Sequence, residues 1–165
     1  MLFGFFGFRL HSLHVVTVSF ISLRKYARNQ ERNRQEANSM THGANNISAD
    51  EALMRLREGN ARYLQAENAA GDVSPALRRT TFEHGQHPYA IVLACSDSRV
   101  IPEAIFSAGI GELFVIRVAG NVVDNHQLGS IEYAEDHLGC NLVVVLGHTA
   151  CGAVDAALHL SLIHI

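Results

Sequence analysis

A chain of 165 residues with 48% hydrophobic content has the size and composition of one globular domain. Its formal net charge of -3 excludes binding driven by a strong positive field, so neither nucleic acid nor an anionic membrane surface is an expected partner. Three cysteines are an odd, sparse set, which points to a reducing compartment and to metal-binding or catalytic thiols, not a disulfide framework.

Residues 1–23 are apolar with scattered Ser, His and Thr, and Arg24, Lys25, Arg28, Arg32 and Arg34 follow. Positive charge after the apolar stretch suits a signal anchor better than a cleaved signal. The interrupting histidines and serines and the missing Ala-x-Ala-like site argue against either, and favour upstream sequence read in frame with the start at Met40. Residues 29–46 are polar and read as a linker or disordered arm, so 1–46 is expected to be a non-core extension. Ser48 with Glu51 three residues on makes a capping box. Leu53, Leu56, Ala61 and Leu64 then give one apolar helical face, to be packed on the chain's own sheet or on a partner subunit.

Pro75, Gly85 and Pro88 mark a loop region with room for a short helix at 75–83. The apolar run 89–94 predicts a first strand. Pro102 suits the first turn of a short helix ending at Phe106, with Val100 and Phe106 as core. The run 113–118 predicts a second strand buried on both faces. Leu128, Ile131, Tyr133, Ala134 and Leu138 make the stripe of a helix that Gly139 caps. A third strand at 142–146 leads into a helix from Cys151. Strands alternating with helices predict an α/β fold, a parallel sheet core with helices on both faces and right-handed crossovers. The final Leu160-Ser161-Leu162-Ile163-His164-Ile165 matches a translated sequencing adapter, so 160–165 is expected to be a non-native tail on a truncated gene fragment.

Chemistry concentrates at two strand ends. Cys95-Ser96-Asp97-Ser98-Arg99 follows the first strand, and Gly147-His148-Thr149-Ala150-Cys151-Gly152 follows the third. In a parallel sheet the carboxyl ends of strands converge on one crevice. Cys95, His148 and Cys151 are therefore candidate ligands of one zinc ion, three in number as catalytic sites use, with a position left for water. Asp97 is the candidate acceptor that orients the water, or a fourth ligand in a closed state. Arg99 is placed to pair with Asp97 bidentately and hold it off the metal. Cys140 precedes the third strand, at the other end of the sheet, and reads as a small buried hydrophobe. His84, His87 and His126 read as solvated histidines, not proton shuttles. Thioredoxin-like redox chemistry lacks its Cys-x-x-Cys spacing. A Cys95 nucleophile with His148 as base would leave Cys151, Asp97 and Arg99 without roles.

Those two clusters, with Gly111-Glu112-Leu113-Phe114-Val115-Ile116-Arg117-Val118-Ala119-Gly120-Asn121, resemble the β-class carbonic anhydrases over roughly 47–158. The stretch 108–112 has no Gln, which favours the bacterial over the plant type. The resemblance implies zinc on Cys95, His148 and Cys151, a gating Asp97–Arg99 dyad, and reversible hydration of carbon dioxide to bicarbonate and a proton through a zinc-bound hydroxide. It implies a homodimer or higher oligomer with the N-terminal helix draped on the partner, and a continuation with further helices and a strand. Gly152 is a candidate substrate contact. The competing expectations are a zinc-binding protein without turnover and a hydrolase of a related small molecule such as carbon disulfide. The expected compartment is the cytoplasm, or export if 1–23 is a real signal; a membrane enters only if that stretch is an anchor.

Overall fold

The computed structural model describes residues 5–8, 16–21, 47–65 and 71–159. The expected linker and the tail 160–165 lie outside the described residues. Five strands form one sheet: β1 (Phe5–Phe8), β2 (Val16–Ile21), β3 (Ala90–Cys95), β4 (Leu113–Val118) and β5 (Val143–Leu146), in the order β1-β2-β5-β3-β4. The helices are α1 (Ala49–Gln65), α2 (Pro75–His84), α3 (Pro102–Ile105), α4 (Asn125–Leu138) and α5 (Gly152–Leu158). Strands β5, β3 and β4 are parallel to one another. The first two strands, which the sequence reading did not place in the sheet, add an antiparallel ribbon on the outer edge of β5. Among the described residues no helix is long and apolar enough to cross a membrane.

The central strand organises both layers. Every residue of β3 is buried, as an unbroken apolar run between two parallel neighbours requires. Successive side chains point to opposite faces. Ala90, Val92 and Ala94 therefore join one core with Ala52 and Leu56 of α1, Ile105, and Phe106. Ile91 and Leu93 join a second core with Ile116, Val143, Cys140 and Ala134 of α4. Helices thus cover both faces, as the alternating pattern predicts. Val100 and Phe106 are core residues, also as expected.

Three expectations need correction. The buried face of α1 is Ala52, Leu56, Gly59 and Asn60, while Ala61 is exposed. The reason is that α1 docks through small and amide groups on the backbone of α3. Asn60 Nδ2 donates to the Ile105 carbonyl at 3.1 Å, and Ser107 Oγ donates to the Gly59 carbonyl at 2.9 Å. Strand β4 is only partly buried, because it is the sheet edge and Arg117 is exposed on it. In α4 only Ala134 is buried, and Leu128 and Tyr133 stay about half exposed. The caps follow the sequence more closely. The Glu51 N–H donates to Ser48 Oγ at 3.2 Å, although the Glu51 carboxylate pairs with Arg55. Gly139 ends α4 in the left-handed conformation.

The α1–α3 contact leaves no room at Gly59, where a Cβ would collide with the Phe106 carbonyl. A main-chain carbonyl cannot rotate away, so the helix itself would have to move. Gly59→Ala is expected to destabilise the protein by about 3 kcal/mol, the upper end of overpacking costs, despite alanine's better helix propensity. Thermal unfolding of the variant measures this; an unchanged midpoint would mean that α1 is not held against α3.

Candidate metal centre

The three parallel strands deliver their carboxyl ends to one place. Cys95 is the last residue of β3, and Ala119-Gly120-Asn121 turns the chain just past β4. Gly147-His148-Thr149-Ala150-Cys151 links β5 to α5. One ligand atom from each of Cys95, His148 and Cys151 lies within 4.8 Å of the others, so the structure brings together the three donors expected from the sequence. The Cys95 and Cys151 sulfurs are 3.8 Å apart, and both residues are buried.

The donor set fits a metal both in its geometry and in its unmet valences. Two thiolates on one tetrahedral zinc, each at about 2.3 Å, stand about 3.8 Å apart, which is the separation found. The Nδ1 of His148 faces the Thr149 carbonyl at 3.0 Å, and a carbonyl can only accept, so the ring proton belongs on Nδ1. Its Nε2 then carries a lone pair. That atom is buried with no hydrogen-bond partner among the described residues. A buried acceptor without a donor is costly in a closed protein but is what a metal ligand needs. The residues fit a borderline-soft cation.

Local backbone and electrostatics support the donors. Burial pushes the Cys95 thiol up, but the facing His148 ring, N–H groups of Asp97 and Gly120 and the Cys151 thiol outweigh it and bring it to about 7. Gly120 donates its N–H to Cys95 Sγ at 3.3 Å from a backbone with φ 72°, a conformation glycine adopts without steric cost. Ala150 also has a positive φ, 52°, and lies between the two downstream donors. For a residue with a Cβ this is a strained backbone, of the kind that persists only where surroundings impose it.

Asp97 and Arg99 form the pair expected. Arg99 Nε donates to Asp97 Oδ1 at 2.9 Å and Nη2 donates to Oδ2 at 2.7 Å, a bidentate fork. The Arg99 backbone N–H adds a third bond to Oδ1 at 3.0 Å. The Arg99 side chain and its N–H hold the Asp97 carboxyl well below the usual carboxylate range. Both oxygens are thereby turned to the guanidinium, and the metal-donor group comprises the other three residues alone. Arg99 Nη2 also donates to the Ala150 carbonyl at 2.9 Å, tying the upstream cluster to the downstream one.

The remaining candidates separate as follows. Gly152 opens α5 and is exposed, with open space where a side chain would stand. Cys140 is buried, and its Sγ donates to the Pro88 carbonyl at 3.1 Å, at the amino end of β3. Burial pushes its thiol up to about 12. His84 and His87 are exposed and line a cleft with Phe82, Ile110, Tyr133 and Leu138 that contains none of the metal-centre residues. His126 is exposed at the start of α4. Two contributors escaped sequence reasoning. Gly120 sits in a turn that looked merely conformational. Arg117 interrupts an apolar strand, and that lone charge was the available signal; its Nε donates to the Cys95 carbonyl at 3.1 Å and its Nη2 to the Asp97 carbonyl at 2.7 Å.

The thiols of Cys95 and Cys140 differ in expected reactivity. Only a thiolate alkylates readily. At pH 8 in metal-free protein, iodoacetamide is expected to label Cys95 while Cys140 stays unmodified until the fold is opened. Peptide mapping by mass spectrometry reads this, and labelling of Cys140 in the folded chain as fast as Cys95 would contradict its raised thiol pKa.

A family model described as carbonic anhydrase matches residues 90–164. A carbonic anhydrase from Mycolicibacterium smegmatis is 46% identical over 110 residues, 65% of this chain and 52% of that one. Carbonic anhydrase 2 of Mycobacterium tuberculosis is 47% identical over 107 residues, 65% of this chain and 51% of that one. The chain spans about half the length of these curated relatives. Among solved structures, the β-carbonic anhydrase CcaA superposes with TM-score 0.47 and 35% identity, over 66% of this chain and 49% of that one.

Proposed function

We propose that this chain is a member of the β-class carbonic anhydrase family, a reading supported by its similarity to curated carbonic anhydrases, and that this centre holds Zn2+ and carries out the reversible hydration of carbon dioxide to bicarbonate and a proton. The observation that carries the proposal is the combination of a three-donor Cys-His-Cys group with an adjacent carboxylate latched away by both its oxygens. A structural zinc site closes its fourth position with protein. Here both carboxylate oxygens of Asp97 are occupied by Arg99.

Cys95, His148 and Cys151 would hold the ion. When bound, zinc supplies Lewis-acid activation of a water molecule for attack on the carbon of carbon dioxide. The chain's own groups do the rest. The Thr149 carbonyl fixes the His148 tautomer, and the Gly120 N–H supports the Cys95 sulfur. Asp97, ionised because Arg99 stabilises its charge, is the acceptor that orients the reacting water's proton. Arg99 keeps that acceptor off the metal, and release of the latch would let Asp97 close the site. The open surface at Gly152 leaves room for substrate beside the last donor.

We also take the whole protein to be a homo-oligomer, an assignment supported by Val122, Val123, Val154 and Leu158, which leave apolar surface exposed around the turn after β4 and on α5. Three free thiols support a reducing, cytoplasmic setting. Stopped-flow measurement of carbon dioxide hydration by the zinc-loaded protein tests the activity. Catalysis above buffer is expected, and a rate equal to buffer with zinc fully bound would overturn the assignment.

A further inference from the structure

The side chain that β4 has least reason to carry is Arg117. The other five residues of β4, Leu113, Phe114, Val115, Ile116 and Val118, are apolar, and a valine would continue that run. Arg117 lies opposite Ala94 in the parallel register, one step below the end of β3. The last sheet bond there is from the Ser96 N–H to the Val118 carbonyl, at 3.2 Å. Beyond that point the chain leaves the sheet, and main-chain carbonyls need donors from elsewhere. Arg117 supplies them to Cys95 and to Asp97, the residues on either side of Ser96.

We propose that Arg117 is a positioning residue of the metal centre, its guanidinium gripping the Cys95 and Asp97 carbonyls so that the first donor and the gating carboxylate are set at a fixed spacing. The inference rests on the zinc-site reading above. A guanidinium is planar, with its donors in a rigid fork, and can hold two acceptors at once in one geometry; an ammonium is a single point on a flexible stem. The Asp97 carbonyl also accepts the Val100 N–H at 3.0 Å, so the turn that carries Asp97 and Arg99 is pinned from both sides. With two peptide units fixed, the Cα–Cβ directions of Cys95 and Asp97 are fixed with them. A metal site loses function when its donors drift by fractions of an ångström. The hydrogen bonds of Arg117 go to main-chain carbonyls, so it acts through the backbone that carries the donor and the gating carboxylate.

The test uses Arg117→Ala and Arg117→Lys in the full chain. Zinc affinity is read by competition with a chromogenic chelator, and site geometry by the thiolate-to-metal charge-transfer and d–d bands of the cobalt-loaded protein. Arg117→Ala is expected to weaken zinc binding about 10- to 100-fold, the usual cost of removing a group that orients metal ligands, and to shift the cobalt bands at saturation. Arg117→Lys is expected to recover only a minor part of the affinity, and it decides the matter if the alanine variant fails to fold. Zinc affinity within twofold of the parent together with an unchanged cobalt spectrum, in either folded variant, overturns the proposal. Failure of the functional reading looks different: the parent itself would bind zinc through three donors and yet not hydrate carbon dioxide.

Discussion

Cys151→Ser is expected to leave the protein essentially without zinc. The hydroxyl of serine does not ionise near neutrality and is a poor partner for a cation that prefers thiolate and imidazole. Structural zinc sites are worth roughly 10–16 kcal/mol across four donors, so one donor carries about 3–4 kcal/mol, or two to three orders of magnitude in affinity. The loss is compounded here because the Cys95 sulfur, 3.8 Å away, loses the partner that shares the ion with it. Elemental analysis after dialysis against a chelator gives the stoichiometry. Cys140→Ser is the matched control, since that thiol bonds the Pro88 carbonyl at the opposite end of the sheet, and its zinc content is expected to equal the parent's. Zinc retained by Cys151→Ser at parent affinity would refute the donor assignment.

The second large effect is expected from Asp97→Asn. The amide keeps the shape of the carboxylate but loses its charge, and only one of its heavy atoms can accept from Arg99. Zinc content is expected to hold at the parent level, because Asp97 stands outside the three-donor group. Turnover is expected to fall by about 10²- to 10⁴-fold, the range over which a positioned proton acceptor contributes. Stopped-flow hydration rates at matched zinc occupancy measure the split. A fully active Asp97→Asn would remove Asp97 from the mechanism and leave the ion pair with Arg99 as architecture.

Much of this centre could be read directly from residue spacing. A donor at a strand end, an acid two residues on and an arginine two beyond that place themselves once the strand is recognised, because a strand fixes where its last residues go. The pairing of that cluster with His148 and Cys151 needed only the parallel order, which follows from the alternation of strands and helices. What stayed hidden depended on backbone, not side-chain pattern. The face of α1 was misassigned because counting bulky apolar residues overlooks Gly59 and Asn60, whose value lies in letting two backbones approach and in bonding a carbonyl. The partial exposure of β4 follows from its place at the sheet edge, which periodicity cannot reveal. Arg117 went unassigned because its partners are carbonyls, and a sequence does not show which carbonyls lack donors.

The spacing between donors has one more consequence, in the language of polymers. Cys95 and Cys151 are 56 residues apart, with α3, β4, α4 and β5 between them. An ion held at both ends would turn that stretch into a closed ring. By the loop-entropy relation for a cross-link of this span, ring closure removes about 4 kcal/mol of freedom from the unfolded chain. Such an ion would be a clasp as well as a reagent, and the strands and helices it encloses would be the part of the molecule whose persistence is most tightly linked to its presence.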